Sequence, residues 1–113
     1  GHNSPLVIDR AGNVSVMNVI PNLPLGLFGG FSYQGQETMV GNETMLYLFT
    51  DGVNEAENNE MKQFGVDRLM SLLKINAAYG PDEIIESTFA ELRRHADGAD
   101  QNDDITVMCI KYC

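Results

Sequence analysis

The chain has 113 residues, 43% hydrophobic and 20% charged, which is the composition of one globular domain and excludes a disordered chain. Its formal net charge is -9 with only 7 Lys and Arg, so nucleic acid and anionic membrane surfaces are excluded as partners by repulsion. No apolar run approaches the ~18 residues of a membrane span, and the opening Gly1-His2-Asn3-Ser4 is not a signal peptide, so the expected location is cytoplasmic. The sequons Asn13-Val14-Ser15 and Asn42-Glu43-Thr44 are then chance matches.

Pro5 to Ile8 is apolar, Asp9 to Asn13 is turn-forming, and Val14, Val16 and Asn18 alternate with smaller residues, a pattern that predicts a β-hairpin. Residues 20–30 hold Pro21, Pro24, Gly26, Gly29 and Gly30 and predict a loop. Phe31 to Val40 alternates weakly, which predicts a strand. After the turn Gly41-Asn42-Glu43, the run Thr44 to Thr50 is apolar on both faces, as in a central strand covered on both sides. Asp51 to Gln63 is polar and reads as irregular.

Val66, Leu69, Met70 and Leu73 fall at i, i+3, i+4 and i+7, an amphipathic helix. Gly80-Pro81 ends it and starts a second, with Ile85, Thr88, Phe89 and Leu92 as its apolar stripe. Arg93, Arg94 and His95 suit a helix C-terminus as cations, and Gly98 can stop the helix. Asp97 to Asp103 is a polar loop, and Ile105 to Tyr112 predicts a second central strand, apolar on both faces. Cys109 and Cys113 on one strand stand about 13 Å apart at ~3.3 Å per residue, too far to bridge. Two thiols without further ligands also make no zinc site. Strands, two helices and a last strand give an α+β fold with helices on antiparallel sheet.

Thr50-Asp51-Gly52 closes one buried strand, where Gly52 is expected to let the backbone turn sharply, and Asp103-Asp104 opens the other. If the two strands are antiparallel neighbours, Asp51 and one of the doublet converge, because adjacent strand residues point to opposite faces. Converging carboxylates can hold a hard cation such as Mg²⁺ or Mn²⁺, or share a proton. An aspartate at a loop end can equally cap backbone N–H groups. The stretch from Asp97 lacks the central glycine and terminal glutamate of a calcium loop.

The run TDGVNEAENNEMKQFGVDRL, Thr50 to Leu69, resembles the signature of SpoIIE/RsbU-type phosphatases, the bacterial branch of the metal-dependent (PPM, type 2C-like) serine/threonine protein phosphatases. Gly1-His2-Asn3-Ser4-Pro5 resembles that family's G-H-N-x-P opening, Leu23-Pro24-Leu25-Gly26 its L-P-L-G loop, and Gln101 to Thr106 its terminal Q-x-D-D-I-T motif. The motifs occur in the family's order across essentially the whole chain.

The resemblance implies that Asp51 and Asp103 are metal ligands, with Asp104 and Gly52 supporting, and it assigns no catalytic side chain. His2 stands where eukaryotic relatives have an aspartate and is given no metal; Glu55 and Asn58 are expected to order the segment after the strand. The implied fold is part of an antiparallel β-sandwich flanked by helices. Residues 1–113 correspond to the carboxyl-terminal part of one such domain, whose amino-terminal half supplies a metal-bridging aspartate and a glycine carbonyl. The implied cofactors are two Mn²⁺ or Mg²⁺ ions, and the implied substrate is a phosphorylated anti-sigma-factor antagonist protein. An isolated carboxyl-terminal half is expected to be inactive and, with open strand edges and sheet faces, to self-associate or exchange strands. The competing reading is a degenerate phosphatase domain that acts as a protein-binding regulatory module.

Overall fold

In the computed structural model, which describes residues 3–20, 26, 29, 30 and 32–113, the hairpin forms as the pattern requires. Strands β1 (Leu6–Ile8) and β2 (Val14–Val16) pair antiparallel, with Leu6 opposite Val16. The turn works because Gly12 takes a φ of 88°, open to a residue without Cβ, and because the Asp9 carboxylate accepts the Asn13 backbone N–H at 2.9 Å. That bond also holds the Asp9 carboxyl below its ordinary value.

β3 (Thr44–Phe49) pairs with β1 and with β4 (Val107–Tyr112), giving an antiparallel sheet in the order β2-β1-β3-β4. Helices α2 (Val66–Ile75) and α3 (Pro81–Ala96) lie on one face, α2 against β1 and β2, α3 against β4. A short helix α1 (Asp51–Asn54) follows β3. Leu6, Ile8, Met45, Tyr47 and Phe49 meet Val53, Phe64, Leu69, Leu73, Ile84 and Leu92 in one buried core. Burying a side chain such as Leu69 or Leu73 contributes roughly 1.5–3 kcal/mol.

The α3 stripe differs from the expectation by one position: Ile84, Thr88 and Leu92 are buried, while Ile85 and Phe89 are half-buried at its margin. Four-residue spacing keeps those three on one line down the helix. Glu83 accepts the Gly80 N–H at 2.7 Å at the start of α3, and Asp97, with φ 46°, and then Gly98 end it. Thr88 is the only side-chain hydroxyl in the α3 stripe, and it is satisfied twice: it donates to the Ile84 carbonyl and accepts from the Tyr47 hydroxyl, both at 2.9 Å.

Burial pushes the Tyr47 hydroxyl up from 10.0 to about 12. The neutral phenol is therefore favoured by folding, so its contribution is intact below pH 10 and is lost as pH rises from 10 toward 12, by about 1.4 kcal/mol per unit. Tyr47→Phe is expected to cost about 1 kcal/mol at pH 8, for the lost hydrogen bond, and to flatten the alkaline loss of stability. Urea unfolding of both forms at pH 8 and pH 11 measures both effects; an equally steep alkaline loss in the variant would remove Tyr47 as its source.

Three expectations need correction. Residues 32–40 form no strand: Gln34, Gly35, Gln36 and Glu37 have little strand preference, and the stretch is exposed up to Met39. Gln36 instead ties back to residues 18–20, its amide accepting the Ile20 N–H at 2.7 Å and donating to the Asn18 carbonyl. The segment after Thr50 is not irregular throughout, since it opens with α1, too short for any periodicity to show. β4 is an edge strand rather than a central one, and its outer residues Met108, Ile110 and Tyr112 are about half exposed, at 56%, 48% and 49%. The apolar pattern of a strand records what its two faces are suited to touch, and here the helices cover only one. Cys109 and Cys113 are both free, and burial raises the Cys109 thiol.

Candidate metal centre

The β3–β4 ladder continues one residue beyond β3 in an altered form. Thr50 N donates to the Thr106 carbonyl at 3.1 Å. The Thr50 hydroxyl accepts the Thr106 N–H at 3.1 Å and donates to the Asp104 carbonyl at 3.2 Å. A threonine side chain thus takes the place of backbone groups and lets the chain leave the sheet at Asp51 while the segment before β4 stays attached. The Val53 N–H then bonds the Thr50 carbonyl at 3.0 Å and the Glu55 N–H bonds the Asp51 carbonyl at 2.9 Å, which winds α1.

Gly52 is buried against this junction. A Cβ there would overlap the Asp104 carbonyl oxygen and stand 2.7 Å from its carbon and 3.2 Å from Ile105 Cγ1. The reason for glycine is therefore close approach of two backbones and not the sharp turn expected, because Gly52 is helical and is not among the positive-φ glycines.

Asp51 is half-buried, and its Oδ1 accepts the side-chain amide of Asn3 at 2.9 Å. Asp103 is exposed; its Oδ1 accepts the Asp104 N–H at 2.8 Å and its carbonyl accepts the Gln101 amide at 2.7 Å. Gly52 and Asp104 are thus in direct backbone contact, whereas Asp51 and Asp103 share the same end of the β3–β4 pair with no bond joining them. Among the described residues no group of three or more His, Cys, Asp or Glu side chains gathers around a common point. His2 and residues 23–25 of the L-P-L-G motif lie outside the described residues. The sequence does not reveal what Asn3 and Thr106 do, although each stands in one of the motifs, because their partners lie tens of residues away.

The segment after α1 is ordered largely by its own side chains. The Asn58 side chain accepts the N–H groups of Glu60 and Lys62 at 2.9 and 3.0 Å, closing the turn that pairs Glu57 with Gln63. That fits the ordering role expected of Asn58, while Glu55 is half-buried at the end of α1. His95 lies in the last turn of α3 as expected, and its ring also reaches off the helix. Its Nε2 faces the carbonyls of Ala56 and Lys62 at 3.1 and 2.9 Å, and its Nδ1 faces Arg68 at 2.8 Å. Arg68 can only donate, so Nδ1 accepts and Nε2 carries the hydrogen, which moors the loop to α3. Phe64 stands edge-on to the ring, and Arg68 lies 4.7 Å over the face of Phe64. Beside this loop a cleft of about 590 Å³ opens between α3 and residues 98–102, with Gly52 and Ile105 on its wall.

The model of the family described as Stage II sporulation protein E (SpoIIE) matches residues 1–112. The chain belongs to the SpoIIE family. It is 39% identical over 66 residues to Protein IcfG of Synechocystis, a match covering 58% of this chain and 10% of that protein. Its fold resembles the SiaA-PP2C domain of Pseudomonas aeruginosa, with a TM-score of 0.76 and 22% identity over 97% of this chain and 43% of that one. The chain therefore spans less than half the length of either relative.

The groups at the β3–β4 end suit a hard divalent cation in kind, since the side chains of Asp51 and Asp103 offer only oxygen donors. They suit it less in number, because such a cation takes about six oxygens.

Proposed function

We propose that the protein carrying this chain is a metal-dependent phosphoserine/phosphothreonine protein phosphatase. Its substrate would be a phosphorylated anti-sigma-factor antagonist in sigma-factor regulation, and its location the cytoplasm. Membership of the SpoIIE family and the PP2C-like fold support the reading. The observation that carries it is the Thr50 clamp on Asp104 and Thr106, which brings Asp51 and Asp103 to one end of one strand pair. In this reading Asp51 and Asp103 hold the metal, and Gly52 and Asp104 keep the two chain segments in contact. Bound Mn²⁺ or Mg²⁺ would supply Lewis-acid chemistry at the phosphoryl group and lower the pKa of a water.

The remaining oxygens around two ions come from water, substrate and residues other than these, so these two carboxylates by themselves bind a metal weakly and hydrolyse nothing. The full-length protein is expected to release phosphate from a phosphoserine protein with Mn²⁺ present and to stop when EDTA is added. Phosphate release that is indifferent to EDTA would defeat the reading. A regulatory module that binds the phosphoprotein without hydrolysing it is favoured by one observation, the engagement of Asp103 with the Asp104 N–H. That reading predicts binding of the phosphoprotein with no turnover at any Mn²⁺ concentration.

A further inference from the structure

Asn3 lies 48 residues before Asp51, yet one hydrogen of its side-chain amide reaches Asp51 Oδ1 at 2.9 Å and the other reaches Asn54 Oδ1 at 2.8 Å. The arrangement admits one orientation. A carboxylate only accepts, so Asn3 must turn its nitrogen to Asp51, and Asn54 must then present its oxygen to the second hydrogen. The Asn3 backbone N–H also bonds the Phe49 carbonyl at 3.2 Å, so the residue is anchored to the end of β3 by its main chain as well. A donor fixed at both ends is a template for the rotamer of whatever it binds. Here it holds one oxygen of Asp51, and the rotamer this imposes sets the direction of the other.

We propose that Asn3 is a positioning residue for the metal-binding carboxylate of Asp51, with Asn54 locking the amide that does the positioning. The proposal rests on the metal reading of Asp51 above and adds to it a residue outside the acidic motifs. Partners that orient a metal ligand typically matter by about 10–100-fold in metal affinity or activity. The cost of removing one falls on the geometry of the ligand and not on the fold.

The test is Mn²⁺ affinity, measured by titration calorimetry and by loss of the free-Mn²⁺ paramagnetic signal, in the full-length protein and its Asn3→Ala, Asn54→Ala and Asp51→Asn variants. Asn3→Ala is expected to bind Mn²⁺ about 10–100-fold more weakly and to lose kcat with little change in KM for the phosphoprotein. Its far-ultraviolet circular dichroism should match that of the parent. Asn54→Ala, which removes the bond to the Asn3 amide and leaves the Asn3–Asp51 bond in place, should lose affinity in the same direction by a smaller factor. A merely structural role would lower the unfolding temperature and leave the Mn²⁺ affinity of the folded protein unchanged. If Asp51→Asn abolishes binding while both asparagine variants bind like the parent, the positioning role is overturned and the metal reading stands. If Asp51→Asn itself binds Mn²⁺ like the parent, the metal reading falls, and the positioning role falls with it.

Discussion

Gly52→Ala is expected to destabilise the chain by about 3 kcal/mol, a large value for the addition of one methyl group. The size follows from what the methyl would meet. Two of the three nearest atoms are the oxygen and carbon of the Asp104 carbonyl, backbone that cannot swing aside as a side chain can. That carbonyl is itself held by the Thr50 hydroxyl, so relief requires the start of β4 to move off the end of β3. The core lies directly beneath, because Val53 and Phe49 are buried on either side of the junction. Denaturant unfolding measures the change, with Gly29→Ala as control; among the described residues nothing lies within 4 Å of a Cβ at Gly29, and the effect there should stay within about 0.5 kcal/mol. Equal midpoints for Gly52→Ala and the parent would show that the two backbones are not in contact. On the proposed function, the same substitution in the full-length protein should also lower Mn²⁺-dependent turnover, since the displaced segment carries Asp103.

On the proposed function, Asp51→Asn and Asp103→Asn are each expected to lower Mn²⁺-dependent turnover of a phosphoprotein by the full-length protein at least about a hundredfold, the equivalent of about 2.7 kcal/mol. Asparagine keeps the shape of the side chain and an oxygen that can still accept from Asn3 or from the Asp104 N–H, so the local hydrogen bonds survive and the charge alone is removed. Asp104→Asn should cost much less, because the structural part of Asp104 is its backbone carbonyl, which the substitution leaves in place. Initial rates of phosphate release at saturating Mn²⁺ compare the variants directly. Turnover within a few-fold of the parent in either Asp51→Asn or Asp103→Asn would strike that residue from the site.

Much of the architecture could be read in the residues themselves. The hairpin turn was legible because Asp9, Gly12 and Asn13 interact with one another over a few residues. Helices α2 and α3 were legible because their apolar spacing is a local property of the chain, although the buried line on α3 runs through Ile84 and not Ile85. Convergence of the two aspartate motifs rests in sequence on a condition, that the two apolar runs be antiparallel neighbours, and the pairing of β3 with β4 meets it. The false strand over residues 32–40 came from weak alternation that no partner strand takes up.

The amino-acid sequence by itself determined the hairpin, the strands β3 and β4, the helices α2 and α3, the α+β class and the positions of the paired aspartate motifs, because each is encoded by residues close together along the chain. Only the tertiary structure decided that Gly52 is required by a carbonyl 52 residues further on, that Asn3 grips Asp51, that His95 moors the loop at Ala56 and Lys62, and that β4 lies at the sheet edge. Those facts are contacts between distant segments. Their energies depend on how closely two backbones approach and which donor finds which acceptor, and neither quantity exists until the chain has folded.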